Sequence, residues 1–156
     1  MFTSAEIEAV RDSFAAAIAD EPELIARFYD RLFFERPELR AMFPRTFEAQ
    51  AAKLQHTLDL ALAGLRHPQA LEAPLRAHGR RHAGLGVTPS HYQVVEQVLV
   101  AVLAETAGPA WTPEAAQGWD RLLGYVCATM IAGAREGRAR PAHPGAAQPL
   151  RPAGTG

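Results

Sequence analysis

The stretch Arg80-Arg81-His82-Ala83-Gly84-Leu85-Gly86-Val87-Thr88-Pro89-Ser90-His91-Tyr92 closes one helix on a histidine and sets a tyrosine early in the next, ten residues later. Upstream, Phe28-Tyr29-Asp30-Arg31-Leu32-Phe33 places a second tyrosine on an apolar helix. A histidine held this way can ligate an iron from one side. A phenol across the pocket can donate a hydrogen bond to a gas taken up on the other side.

Spacing places His82 but does not assign it. Leu71, Leu75, His78 and His82 follow i, i+4, i+7, i+11, one continuous helical face, so both histidines point inward. An inward histidine serves either as a hydrogen-bonded core residue or as a metal ligand. His78-x-x-x-His82 also has the spacing of two zinc ligands, although no glutamate lies between them and no Cys or His cluster is nearby. The remaining candidates are weaker. His56 falls two residues, about 200°, from Leu54 and so points away from the leucine face. His67 precedes a proline at a helix break, and His143 lies in a Pro/Gly/Ala-rich stretch. Cys127, the one cysteine, sits in an apolar helical run and reads as a small core residue. It can form no intrachain disulfide, which fits a reducing compartment.

Helices must position these groups, since the chain shows apolar periods of helical spacing and no strand alternation. Thr3 and Glu6 have capping-box spacing before Ile7, Val10, Phe14 and Ile18. Asp20 is expected to cap a second helix, with Pro22 in its first turn, carrying Leu24, Phe28, Tyr29, Leu32 and Phe33. A short turn starts at Pro37 and ends near Phe43-Pro44. Thr46 is expected to cap the next helix, with leucine at 54, 58, 62 and 65, which His67-Pro68 breaks. A helix from about Gln69 to Ala83 stops at Gly84 and Gly86. Thr88-Pro89 and Thr112-Pro113 each combine a cap with a first-turn proline, opening helices over roughly 89–107 and 113–136. From Gly137 to Gly156 the chain has little apolar content and is expected to be a disordered tail, leaving 1–136 as one domain.

Composition narrows the function. The chain has 156 residues, enough for one domain with a sizeable core. A net charge of −1 gives no electrostatic case for nucleic acid or an anionic membrane. No apolar run approaches ~18 residues and the amino terminus reads as an amphipathic helix, so a cytoplasmic protein is expected.

In order and separation, several short motifs together resemble the bacterial globins of the flavohaemoglobin type, most of all their single-domain members. They are Phe28-Tyr29-x-Arg31-Leu32-Phe33, Pro37-Glu38-Leu39-x-x-x-Phe43, Gln50-x-x-x-Leu54, Arg81-His82, Pro89-x-x-Tyr92, and Trp119 followed by Gly124. The similarity spans about Phe2 to Glu136. It implies an all-α globin fold, six to seven helices around a pocket for b-type haem. His82 then corresponds to the iron ligand and Phe43 to the phenylalanine that stacks on haem. Tyr29, Gln50 and Leu54 correspond to the distal residues that meet the gas. Arg81 stands where relatives carry a basic residue able to reach a haem propionate, and Tyr92 corresponds to the tyrosine beside the ligating histidine.

Ligated oxygen gathers negative charge, so O–H and N–H donors from Tyr29 and Gln50 should hold it in a dry pocket, and carbon monoxide much less. That suits capture of oxygen for reaction with nitric oxide to nitrate, supported by a separate reductase. Oxygen storage or delivery, weak peroxidase activity and gas sensing are the competing roles. A monomer or weak homodimer is expected.

Two departures stand out. The glutamate that flavohaemoglobins place behind the histidine–tyrosine pair falls on Ala134 when counted without gaps from Trp119 and Gly124. Glu136 joins Tyr92 behind His82 only if the last helix bulges, and Glu96, four residues after Tyr92, is a substitute. His78 stands where relatives usually have an aliphatic residue, and so should border the haem on the same side as His82.

Overall fold

The computed structural model describes residues 2–43 and 47–139, and all regular structure among them is helical. Helix α1 (Ser4–Asp20) starts on the expected capping box: the Thr3 hydroxyl accepts the Glu6 N–H at 3.1 Å, and the Glu6 carboxylate accepts the Thr3 N–H at 2.8 Å. The Asp20 cap does not form. The α1 ladder runs on until the Glu21 N–H bonds the Ala17 carbonyl, so Asp20 is the last residue of α1. Pro22 lies in the connecting turn, and α2 (Leu24–Glu35) begins without a side-chain cap.

A 3₁₀ turn over Pro37–Met42 leads towards α3 (Phe47–Ala63). Thr46, expected as its cap, lies outside the described residues. The helix expected from Gln69 divides in two: a 3₁₀ turn, Pro68–Leu71, in which the Ala70 N–H bonds His67 three residues back, and then α4 (Glu72–Gly84). Helix α5 (Pro89–Ala107) follows its predicted bounds, and α6 (Pro113–Ala139) runs three residues past the expected domain limit. Residues 140–156 of the expected tail lie outside the described residues.

The core forms where α1 and α5 pack with α6. Trp119 is fully buried, and its Nε1–H donates to Ser13 Oγ at 2.9 Å, which in turn donates to the Val10 carbonyl at 2.9 Å. The internal helix is α5, as its apolar periphery suggests: Val98, Leu99, Val102 and Leu103 are all buried. Glu105 on α5 ties down α2 through Arg31, at 2.6 Å, and Arg27, at 3.4 Å.

Helix α4 crosses α6 backbone to backbone. A Cβ on Gly79 would lie 1.8 Å from the Met130 carbonyl oxygen, and one on Gly133 would lie 2.2 Å from that of Arg76. Only glycine permits such an approach, and it fixes the height of the helix that carries His78 and His82.

Candidate ligand-binding site

The last turn of α4 and the corner after it place His82. Gly86 adopts φ +82°, the left-handed turn glycine favours, which lets the Val87 N–H return to the His82 carbonyl at 3.2 Å. Thr88 then opens α5, its N–H donating to His91 Nδ1 at 3.0 Å. His91 is therefore a capping residue, a role its position three residues after Thr88 makes readable. This corner brings the Tyr92 ring to 6.3 Å from the His82 ring.

His82 is half-buried, and its Nδ1 lies 2.8 Å from the His78 carbonyl oxygen. A carbonyl only accepts, so Nδ1 carries the proton and Nε2 keeps its lone pair for a ligand. Among the described residues no group of three or more His, Cys, Asp or Glu could hold a metal ion. The free Nε2 leaves His82 one lone pair to offer a metal whose other ligands would come from a cofactor, as in haem.

His78 borders the same face, its ring 6.0 Å from that of His82. Burial pushes its pKa below the ordinary 6.5, reinforced by the positive charges of Arg81 and Lys53. It is mostly neutral at pH 7, on a rim where α3 and α4 present cations. His56 is exposed, as its phase predicts, and Arg81 is exposed too.

The residues expected on the distal side come from α2, α3 and the turn before α3. Tyr29 is 3% exposed and shares a side-chain hydrogen bond with Gln50. Burial raises the Tyr29 pKa, and the Gln50 bond opposes this more weakly, so the phenol stays a neutral O–H donor. Phe43 meets the Tyr29 ring edge-on at 5.6 Å. Phe33, which sequence reasoning had not assigned to the site, completes the wall at 5.8 Å from Tyr29 and 5.2 Å from Phe43. Its position four residues after Tyr29 was the available signal. Leu54, one turn beyond Gln50, is half-buried against the core.

Behind His82 the last helix carries no bulge. Helix α6 is unbroken through Glu136, whose carboxylate pairs with Arg76 and, at 3.6 Å, Arg80 on α4. Glu136 is thus an exposed bridge between helices and does not reach Tyr92, because no bulge rotates it inward. The Tyr92 hydroxyl is buried and has no hydrogen-bond partner among the described residues. Burial, and secondarily Cys127, pushes its pKa up to about 12. Cys127 is raised to about 12 by burial and by Glu96, with which it shares a hydrogen bond. Glu96 is itself raised by burial and by nearby Asp120.

Residues 26–130 match the family model for globins. A flavohemoprotein of Rhizobium meliloti is 32% identical over 113 residues, covering 70% of this chain and 28% of the relative. One of Bacillus subtilis is 25% identical over 134 residues, covering 84% of this chain and 34% of the relative. The chain spans about a third of the length of these flavohemoproteins. Among solved structures, an engineered carbene transferase from Rhodothermus marinus, described as a nitric oxide dioxygenase by assignment, superposes with a TM-score of 0.75 at 26% identity, covering 89% of this chain and 97% of that one. A bacterial globin from Campylobacter jejuni shares the fold at a TM-score of 0.73 and 19% identity, covering 86% and 97%.

Proposed function

The chain belongs to the globin family, whose cofactor is haem, and on that premise we propose that it captures oxygen for nitric oxide dioxygenation. In that reaction oxygen, nitric oxide and one electron give nitrate, and a separate reductase supplies the electron. The observation that carries this reading is the pairing of Tyr29 with Gln50 inside an aromatic wall.

When bound, haem would supply an iron able to take up a diatomic gas. His82 Nε2 would be its protein ligand, and Arg81 and His78 would border the cofactor. The group would be haem b, as the family likeness implies, and the single cysteine offers no C-x-x-C-H attachment. Tyr29 O–H and the Gln50 amide donate towards the partial negative charge that oxygen, far more than carbon monoxide, develops. Phe33, Phe43 and Leu54 keep water away and so strengthen those donors. The same geometry retards oxygen release, which favours reaction over delivery. The protein acts in the cytoplasm, as a monomer or weak homodimer.

One observation favours oxygen storage instead: Glu136 is engaged by Arg76 and Arg80, so the family's carboxylate is not behind His82. Both readings require slow oxygen release, and only the first requires nitrate. Stopped-flow oxygen dissociation, with nitrate yield under a flavin reductase, separates them. Losing a hydrogen bond to a charged group costs ~1.5–3 kcal/mol, so Tyr29→Phe should speed oxygen release roughly 10- to 150-fold. Gln50→Leu should act in the same direction more weakly. Equal acceleration of carbon monoxide release would refute the electrostatic role, and stoichiometric oxygen uptake without nitrate would leave storage.

A further inference from the structure

We propose that Arg40 is a positioning residue for the gas site: its guanidinium clamps Phe33 and Phe43 together and so fixes the Tyr29 ring that packs against both. The proposal rests on the reading of Tyr29 as the donor to oxygen.

The clamp joins two elements. On the 3₁₀ turn, Arg40 engages the Phe43 backbone twice. The Phe43 N–H donates to the Arg40 carbonyl at 3.2 Å, and Arg40 Nη1 donates to the Phe43 carbonyl at 3.4 Å. The same guanidinium lies over the Phe33 ring of α2, its Cζ 5.4 Å from the ring centroid. That is inside the ~6 Å range over which an aromatic face attracts a cation. Arg40 forms no ion pair among the described residues, so the ring and the carbonyl are the groups that hold it. One side chain therefore ties the turn carrying Phe43 to the helix carrying Tyr29 and Phe33.

The three rings form a closed triangle. Phe33 stacks on Tyr29 at 5.8 Å with the planes 25° apart. Phe43 meets Phe33 edge-on at 5.2 Å and Tyr29 edge-on at 5.6 Å. Both arrangements are ones aromatic pairs prefer, and each ring limits the rotation of the others. The Tyr29 hydroxyl sits at the far end of its ring, where a small tilt displaces it most. Arg40 is exposed and acts on that hydroxyl only through the rings. A cation on an exposed aromatic face is worth roughly 2- to 5-fold in the equilibrium it biases.

The chain has three tyrosines, so fluorotyrosine labelling gives three fluorine NMR signals, and Tyr29→Phe identifies that of Tyr29. Arg40→Met keeps an aliphatic stem and removes both the charge and the donor. It should shift or broaden the Tyr29 signal in the full chain, with haem and without, and leave those of Tyr92 and Tyr125 in place. Arg40→Lys, which keeps a cation, should restore part of the change. In a Phe33→Leu background, Arg40→Met should move the Tyr29 signal much less. In the haem-loaded protein, Arg40→Met should speed oxygen release roughly 2- to 5-fold, speed carbon monoxide release less, and add nothing to Tyr29→Phe.

A Tyr29 signal indifferent to Arg40→Met overturns the clamp. So does equal acceleration of both gases, or oxygen release that Tyr29→Phe speeds and Arg40→Met leaves unchanged. If Tyr29→Phe itself leaves oxygen release unchanged, the reading of Tyr29 as donor falls, and the fluorine signals still decide whether Arg40 holds the ring. Arg40 is exposed, so no variant at that position empties the core.

Discussion

Replacing Gly79 by alanine should lift α4 off α6 and carry the histidine face with it. The added Cβ would sit 1.8 Å from the Met130 carbonyl oxygen, whereas real Cβ contacts do not fall below 3.0 Å, so the helices must separate by about 1.2 Å. No rotamer relieves this, because the obstructing atoms are the Met130 backbone. Overpacking of this kind costs ~1–3 kcal/mol. Alanine's helical advantage over glycine returns only ~0.5–1 kcal/mol. Net destabilisation should be roughly 1–2 kcal/mol, or ~2–8 °C in Tm for a chain of this size. Gly124 on α6 provides the control, since a Cβ there meets nothing within 4 Å. Gly124→Ala should stabilise by ~0.5–1 kcal/mol. Urea unfolding of the two variants side by side should therefore give opposite signs. His82 lies three residues beyond Gly79, so Gly79→Ala should also perturb the ferrous iron–histidine band. Two variants of equal stability, or a stabilised Gly79→Ala, would mean that the backbone contact between α4 and α6 is not what sets the height of His82.

Other consequences are more local. Trp119→Ala, which empties the centre of the core and removes the donor to Ser13, should cost ~3–5 kcal/mol in urea unfolding. Thr3→Ala should cost ~1 kcal/mol by undoing the α1 cap. The Thr3 backbone and the Arg121 guanidinium hold the Glu6 carboxyl below its ordinary pKa of 4.5. Its folded pKa is depressed, so this stabilisation is complete above the unfolded value and fades as pH falls through the folded one. A urea midpoint series in acid should therefore drop less steeply for Glu6→Gln than for the wild type.

The positions of most helices could be read from local chemistry. Thr88-Pro89 opens α5 at the predicted residue because a cap followed by a fixed φ acts within one turn. Asp20 failed by the same kind of reading, because capping is a competition, and the α1 ladder outlasted it by continuing to Glu21. Gln50 and Leu54 share a face by simple phase, and His78 with His82 likewise. What stayed illegible depends on two segments meeting. Gly79 and Gly133 look like poor helix residues until α4 is seen lying on α6. Cys127 reads as a core residue, and nothing in its own neighbourhood announces Glu96. Glu136 could be followed only to its face of α6; the arginines that engage it lie 60 and 56 residues away on α4.

The account turns on His82, and the most direct test is the ferrous spectrum of His82→Ala reconstituted with haem. Haem should be lost or held weakly, without the wild-type ferrous bands, and added imidazole should restore a five-coordinate histidine-like spectrum by occupying the space the side chain left. A variant that keeps the wild-type ferrous spectrum without imidazole would contradict the account and point to another ligand, with His78, its ring 6.0 Å from that of His82, the first to examine.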